Sequence, residues 1–209
     1  MDREEVLASR ILIVDDLDAN VLLLERILQQ AGYKNYAALT DSRQVLDQFR
    51  IFQPDLILLD LMMPKMDGYA VMKQLNGWMA DDIYVPILVI TADASRVARQ
   101  KALALGAKDF VSKPLDNVEV ALRIYNLLET RRLYVHMRSR AEARSLQIAE
   151  SLARLRAVSS EWVNLAGQES PASGVGRLIE ELQAAELALE KLAAETGAER
   201  LTGQAAVCA

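Results

Sequence analysis

A doubly wound α/β fold followed by a helical extension is what this sequence predicts, and three observations predict it. Up to about Asn126, compact apolar runs alternate with amphipathic stretches. The runs are short and almost wholly hydrophobic, the pattern of parallel strands covered on both faces. After Pro114 no such run returns, and Gly and Pro are absent until Gly167.

The five expected strands are Arg10 to Val14, Asn35 to Leu39, Leu56 to Leu59, Pro86 to Thr91 and Asp109 to Ser112. Asp18, Asp41 and Ser95 are expected to cap helices over Ala19–Ala31, Ser42–Arg50 and Arg96–Leu105. Gly32 and Gly106 stand where the first and last of these should stop. Right-handed βα units of this kind bind ligands at the carboxyl ends of the strands.

The extension reads as a helical hairpin or coiled coil. Apolar residues recur every seventh position at Leu127, Tyr134, Ala141, Ile148, Leu155 and Trp162, while their heptad partners, Arg131 and Arg138 among them, are mostly polar. The segment Gly167–Gly176 breaks the helix, and a second series follows through Val175, Leu178, Leu182, Ala185, Leu189 and Leu192. Eight Arg lie between Arg123 and Arg156, and eight Glu follow from Glu161 onward. Arms of opposite sign suit antiparallel pairing, within a chain or across a homodimer.

The 209 residues hold one full domain plus a shorter appendage, and 52% hydrophobic content supports a real core. A single cysteine, Cys208, excludes an internal disulfide, and no run reaches the ~20 apolar residues of a membrane span. A cytoplasmic location is therefore expected, with no membrane association. A net charge of −5 weighs against broad nucleic-acid affinity.

Polar residues gather at the predicted strand ends: Asp15 and Asp16 after the first, Asp60 after the third, Thr91 at the fourth, Lys113 and Pro114 after the fifth. Singly, each has an ordinary explanation as a cap, a β-former or a solvated cation. Together they converge on one sheet edge. Three close carboxylates repel unless a cation neutralises them, and oxygen ligands suit Mg²⁺. The Lys113 ammonium and Thr91 hydroxyl would complete a site for phosphoryl transfer to a carboxylate.

These residues resemble the CheY-like receiver domain of two-component response regulators. The resemblance covers about Arg10 to Leu128, through ILIVDD at Ile11–Asp16, PDLILLDLMMPKMDG at Pro54–Gly68, Thr91–Ala92 and Lys113–Pro114. It implies a flavodoxin-like strand order 2-1-3-4-5, a receiver over 8–128 and a helical dimerisation or docking extension over 129–209. Asp60 would be the phosphoacceptor, served by a sensor histidine kinase or phosphotransfer protein, and the protein a signalling switch rather than an enzyme. Asp16 would bind Mg²⁺ directly, Asp15 through water, and Met62 through its backbone carbonyl. Lys113 and Thr91 would hold the acyl phosphate. Phe110 matches the switch aromatic, which turns inward when Thr91 moves toward the phosphate. Met62 and Asp93 resemble positions that tune phosphoryl lifetime. Met66, Asp67 and Gly68 read as a structural turn, Gly68 tolerating positive φ.

Four other readings compete. A receiver can be a relay intermediate that passes its phosphate onward. Asp16-Leu-Asp18 resembles the nucleophile motif of haloacid-dehalogenase-type phosphatases, but that leaves Asp60 unexplained. A DNA-binding output would need a compact helix-turn-helix, and two long heptad helices are not one. His136, in the context Val135-His136-Met137-Arg138, lacks the acidic residue that follows a phosphorylated kinase histidine.

Overall fold

The computed structural model describes residues 3–79 and 83–166, with Ala184 and Leu187 beyond them. The chain forms two compact units, Met1–His136 and Met137–Ala209. The first opens with a short helix, α1 (Arg3–Leu7), absent from the sequence expectation. Then follow β1 (Ile11–Val14), α2 (Asp18–Ala31), β2 (Tyr36–Leu39), a 3₁₀ turn at Ser42–Gln44, α3 (Val45–Phe52), β3 (Leu56–Leu59) and α4 (Gly68–Trp78). The series closes with β4 (Ile87–Thr91), α5 (Arg96–Ala104), β5 (Asp109–Ser112) and the 50-residue α6 (Asn117–Ala166).

All five strands are parallel, in the order β2-β1-β3-β4-β5. The expected doubly wound fold is therefore present. β1 and β3 are buried along their whole length, which is why they read as unbroken apolar runs. Burying each such Ile or Leu contributes about 1.5–3 kcal/mol. Alternate side chains feed two separate cores. Leu12, Val14, Ile57, Leu59 and Val89 pack with α3, α4 and α5, whereas Ile11, Ile13, Leu56, Leu58 and Ile90 pack with α2 and with Val120, Ile124 and Leu128 of α6.

Three sequence expectations change at element ends. Asp18 is the first residue of α2 rather than its cap; Leu17 holds the cap position, and the Asp15 carboxylate accepts the Leu17 amide at 3.0 Å. Asp41 does cap, but it opens the 3₁₀ turn before α3. Ser95 caps α5 through the Ala98 amide, and Gly32 ends α2 with φ of 93° as expected. The third change concerns Gly68, which has no positive φ; in that loop Lys65 takes the left-handed backbone, with φ of 69°. A Cβ on Gly68 would sit 2.3 Å from the Asp60 carbonyl oxygen and 2.9 Å from the Leu61 Cα. Glycine is required here by close approach of backbone to backbone, and Asp67 caps α4 by accepting the Ala70 amide at 2.7 Å.

Among the described residues, no helix is long and apolar enough to cross a membrane. The expected break at 167–176, the second heptad series apart from the helical positions Ala184 and Leu187, and Cys208 lie outside the described residues.

Candidate phosphoacceptor site

Strand register sets the site. Val14 and Leu59 are paired across β1 and β3, so the next residues, Asp15 and Asp60, emerge side by side at the carboxyl edge. The Asp60 amide donates to the Val14 carbonyl at 2.9 Å, and the Asp15 amide to the Leu39 carbonyl at 3.2 Å. Thr91 and Ser112 are paired at the ends of β4 and β5, and the Lys113 amide donates to the Thr91 carbonyl at 2.8 Å. The Lys113 side chain thereby returns over the edge.

Its ammonium bridges the two acids, with Nζ 2.8 Å from Asp15 Oδ2 and 2.9 Å from Asp60 Oδ1. Asp15 is 1% exposed and Asp60 4%. The second oxygen of each is also engaged. Asp60 Oδ2 accepts the Met62 amide at 2.6 Å; Asp15 Oδ1 accepts the Leu17 amide and the Asn20 side-chain amide, the latter at 2.8 Å. Asn20 was not singled out in the sequence, where its only cue is its place one helical turn beyond Asp16.

Burial raises the Asp60 pKa above the ordinary carboxylate value, against the opposing pull of Lys113. For Lys113, burial pulls the pKa down, but hydrogen bonds to Asp15 and Asp60 outweigh it and the net direction is up. The cation is thus held firmly charged between the two acids.

The other expected site residues are distributed around this pair. Asp16 is half-buried next to Asp15, and Met62 is exposed two residues past Asp60. The Thr91 hydroxyl is fully buried and accepts the Asp93 amide at 3.3 Å. Phe110 is already packed inward, 7% exposed, in the core on the α3–α5 side. His136 is exposed on α6.

Among the described residues, no three His, Cys, Asp or Glu side chains are gathered as a metal cluster. Lys113, placed between Asp15 and Asp60, supplies one positive charge to the acidic pair.

Residues 11–125 match the response regulator receiver domain family, and the chain belongs to it. It carries the receiver of two-component phosphorelay signalling. Response regulator PleD of Caulobacter vibrioides is 38% identical over 154 residues, 71% of this chain and 33% of PleD. PhoP of Bacillus subtilis, an alkaline phosphatase synthesis transcriptional regulatory protein, is 38% identical over 120 residues, 57% of this chain and 48% of PhoP. The chain thus spans between a third and a half of these curated relatives. Among solved structures, the receiver domain of a signal transduction histidine kinase from Syntrophus aciditrophicus is 32% identical, with a TM-score of 0.53, covering 59% of this chain and 92% of that one. A response regulator receiver from Bermanella marisrubri is 30% identical, with a TM-score of 0.52, covering 58% and 98%.

Proposed function

We propose that this receiver is a phosphorylation switch in which Asp60 takes a phosphoryl group from the phosphohistidine of a histidine kinase or phosphotransfer protein. The Asp60 carboxylate forms the new O–P bond as the N–P bond of the donor breaks, and the histidine nitrogen leaves with the electron pair. The observation that carries the reading is the Lys113 ammonium bridging two buried carboxylates at the sheet edge. A cation so placed can follow charge from the Asp60 carboxylate onto the acyl phosphate, and the Thr91 hydroxyl at the neighbouring strand end can donate to it.

The donors fit Mg²⁺ by chemistry and charge. Asp15, Asp16, Asp60 and the Met62 carbonyl offer oxygen only, and three carboxylates against one ammonium leave two negative charges. Mg²⁺ would supply neutralisation of the phosphoryl oxygens. Asp15 is committed to Lys113, Leu17 and Asn20, which supports Asp16 as the direct ligand and Asp15 as the one acting through water.

We assign the receiver to residues 8–128 and a homodimerising output to 129–209. Exposed apolar side chains at Met137, Ile148, Leu155 and Val158 on α6 support it. No DNA-binding role is assigned.

Incubating the full chain with a small phosphodonor and Mg²⁺ should add one phosphoryl group, read by intact-mass spectrometry, and Asp60→Asn should prevent it. Labelling that persists in Asp60→Asn and vanishes in Asp16→Asn would replace this reading with the phosphatase one.

A further inference from the structure

At the amino edge of the sheet, opposite the phosphoacceptor, one guanidinium holds two strands. Arg131 of α6 donates through Nε to Asp55 Oδ1 at 3.1 Å and through Nη1 to the Tyr84 carbonyl. Asp55 immediately precedes β3, and its other oxygen accepts the Arg10 amide at 2.9 Å just before β1. Tyr84 lies shortly before β4, and its ring packs on Tyr134 with centroids 5.1 Å apart. Arg132, the next residue along α6, pairs with Glu5 of α1. The Arg131 side chain is only 17% exposed. Its place in the mostly polar heptad series has a reason, since it is turned into the receiver.

The strands that Arg131 grips at their beginnings are the two that lead into Asp60 and end at Thr91. Short buried strands move as rigid rods, so a shift at one end is felt at the other. A route from the site to the tail through the switch aromatic Phe110 meets an obstacle. Phe110 packs on the α3–α5 side of the sheet, whereas Val120, Ile124 and Leu128 of α6 pack on the other side. Among the described residues, no side chain belongs to both cores.

We propose that Arg131 is the positioning residue through which the receiver's phosphorylation state reaches the tail, acting on α6 through Asp55 and the Tyr84 carbonyl at the base of the sheet. It touches neither the phosphoryl group nor Asp60. The inference rests on Asp60 being the acceptor. Two fixed bonds from a planar fork set both the position and the rotation of α6 at this point, and a lysine cannot reproduce them. Loss of those bonds should disconnect the tail while leaving the chemistry in place.

The test uses the full chain with a small phosphodonor and Mg²⁺. Asp60 phosphorylation is followed on phosphate-affinity gels, and hydrogen exchange by mass spectrometry is followed in peptides spanning residues 129–158. In the wild type, phosphorylation should change exchange in those peptides. Arg131→Met and, as a milder variant that keeps the shape, Asp55→Asn should phosphorylate within about threefold of the wild-type rate but lose most of that change. Arg131→Lys should behave like Arg131→Met, because charge without the fork does not suffice. A wild-type tail response in Arg131→Met overturns the proposal. So does loss of Asp60 phosphorylation in both Arg131→Met and Asp55→Asn, which would make the contact a requirement of the fold. If the wild type is phosphorylated and its tail does not respond, this inference alone falls. If the wild type takes no phosphoryl group at Asp60, the functional reading falls and brings the inference down with it.

Discussion

Gly68→Ala is a small substitution whose cost can be worked from backbone positions. The added methyl would lie 2.3 Å from the Asp60 carbonyl oxygen and 2.9 Å from the Leu61 Cα, well inside contact distance. Neither obstacle is a side-chain tip that can rotate away, so the loop between β3 and α4 must shift. Overpacking of this kind costs about 1–3 kcal/mol, and the rigid neighbours put Gly68 in the upper half of that range. Against it stands a gain of about 0.4–1 kcal/mol from stiffening the unfolded chain. The net destabilisation is then about 1–2.6 kcal/mol, enough at an m-value of about 2 kcal/mol/M to lower a urea midpoint by about 0.5–1.3 M. Urea unfolding followed by circular dichroism reads it directly. The displaced atoms belong to the peptide that aims the Asp60 side chain, so phosphorylation should slow as well. Gly68→Asn separates the two possible reasons for the glycine, because Asn accepts positive φ better than Ala but carries the same Cβ. It should be no more stable than Gly68→Ala. If Gly68→Asn unfolds at the wild-type midpoint, the close-approach argument is refuted.

Two further outcomes follow. Asp60 titrates above the ordinary carboxylate value of 3.8 because it is buried, so the wild type loses stability as pH rises through that raised pKa. Asp60→Asn lacks this loss, so in paired thermal melts its stability relative to the wild type should rise across the same window, carboxylates remote from the site cancelling in the difference. A gap independent of pH would refute the shift. Truncation after His136, which keeps the Arg131 contacts, should leave a monomeric receiver where the full chain is a dimer; light scattering that finds both equally dimeric would refute the tail assignment.

Strands were legible because buried parallel strands leave continuous apolar runs, and β3 and β5 match their expected bounds. Boundaries slipped where hydrogen bonding, not hydrophobicity, defines them. Pro86 has no amide to give the ladder, so β4 begins at Ile87, although the Pro86 carbonyl still accepts the Ile57 amide. α1 escaped notice because a five-residue helix with only Val6 buried has no periodicity to read. In the site, residue types and strand-end positions were visible, but the direct bridging of Asp15 and Asp60 by Lys113 depends on geometry across 98 residues of chain. The Arg131 contact with Asp55, 76 residues away, left as its trace only one more polar residue in a heptad series already mostly polar.

The two cores have a consequence for how this molecule can vary. Because strand neighbours such as Leu58 and Leu59 belong to different sides of the sheet, the protein has two separate volumes to keep filled rather than one total. A change of size on the α2 and α6 side must be compensated there and cannot be absorbed among α3, α4 and α5. Paired substitutions on opposite sides should therefore add, while those on the same side should interact. The side that holds the exit helix can drift in sequence and acquire new surface contacts without disturbing the packing around Phe110. A lineage could change what its tail speaks to and leave the other half of its interior untouched.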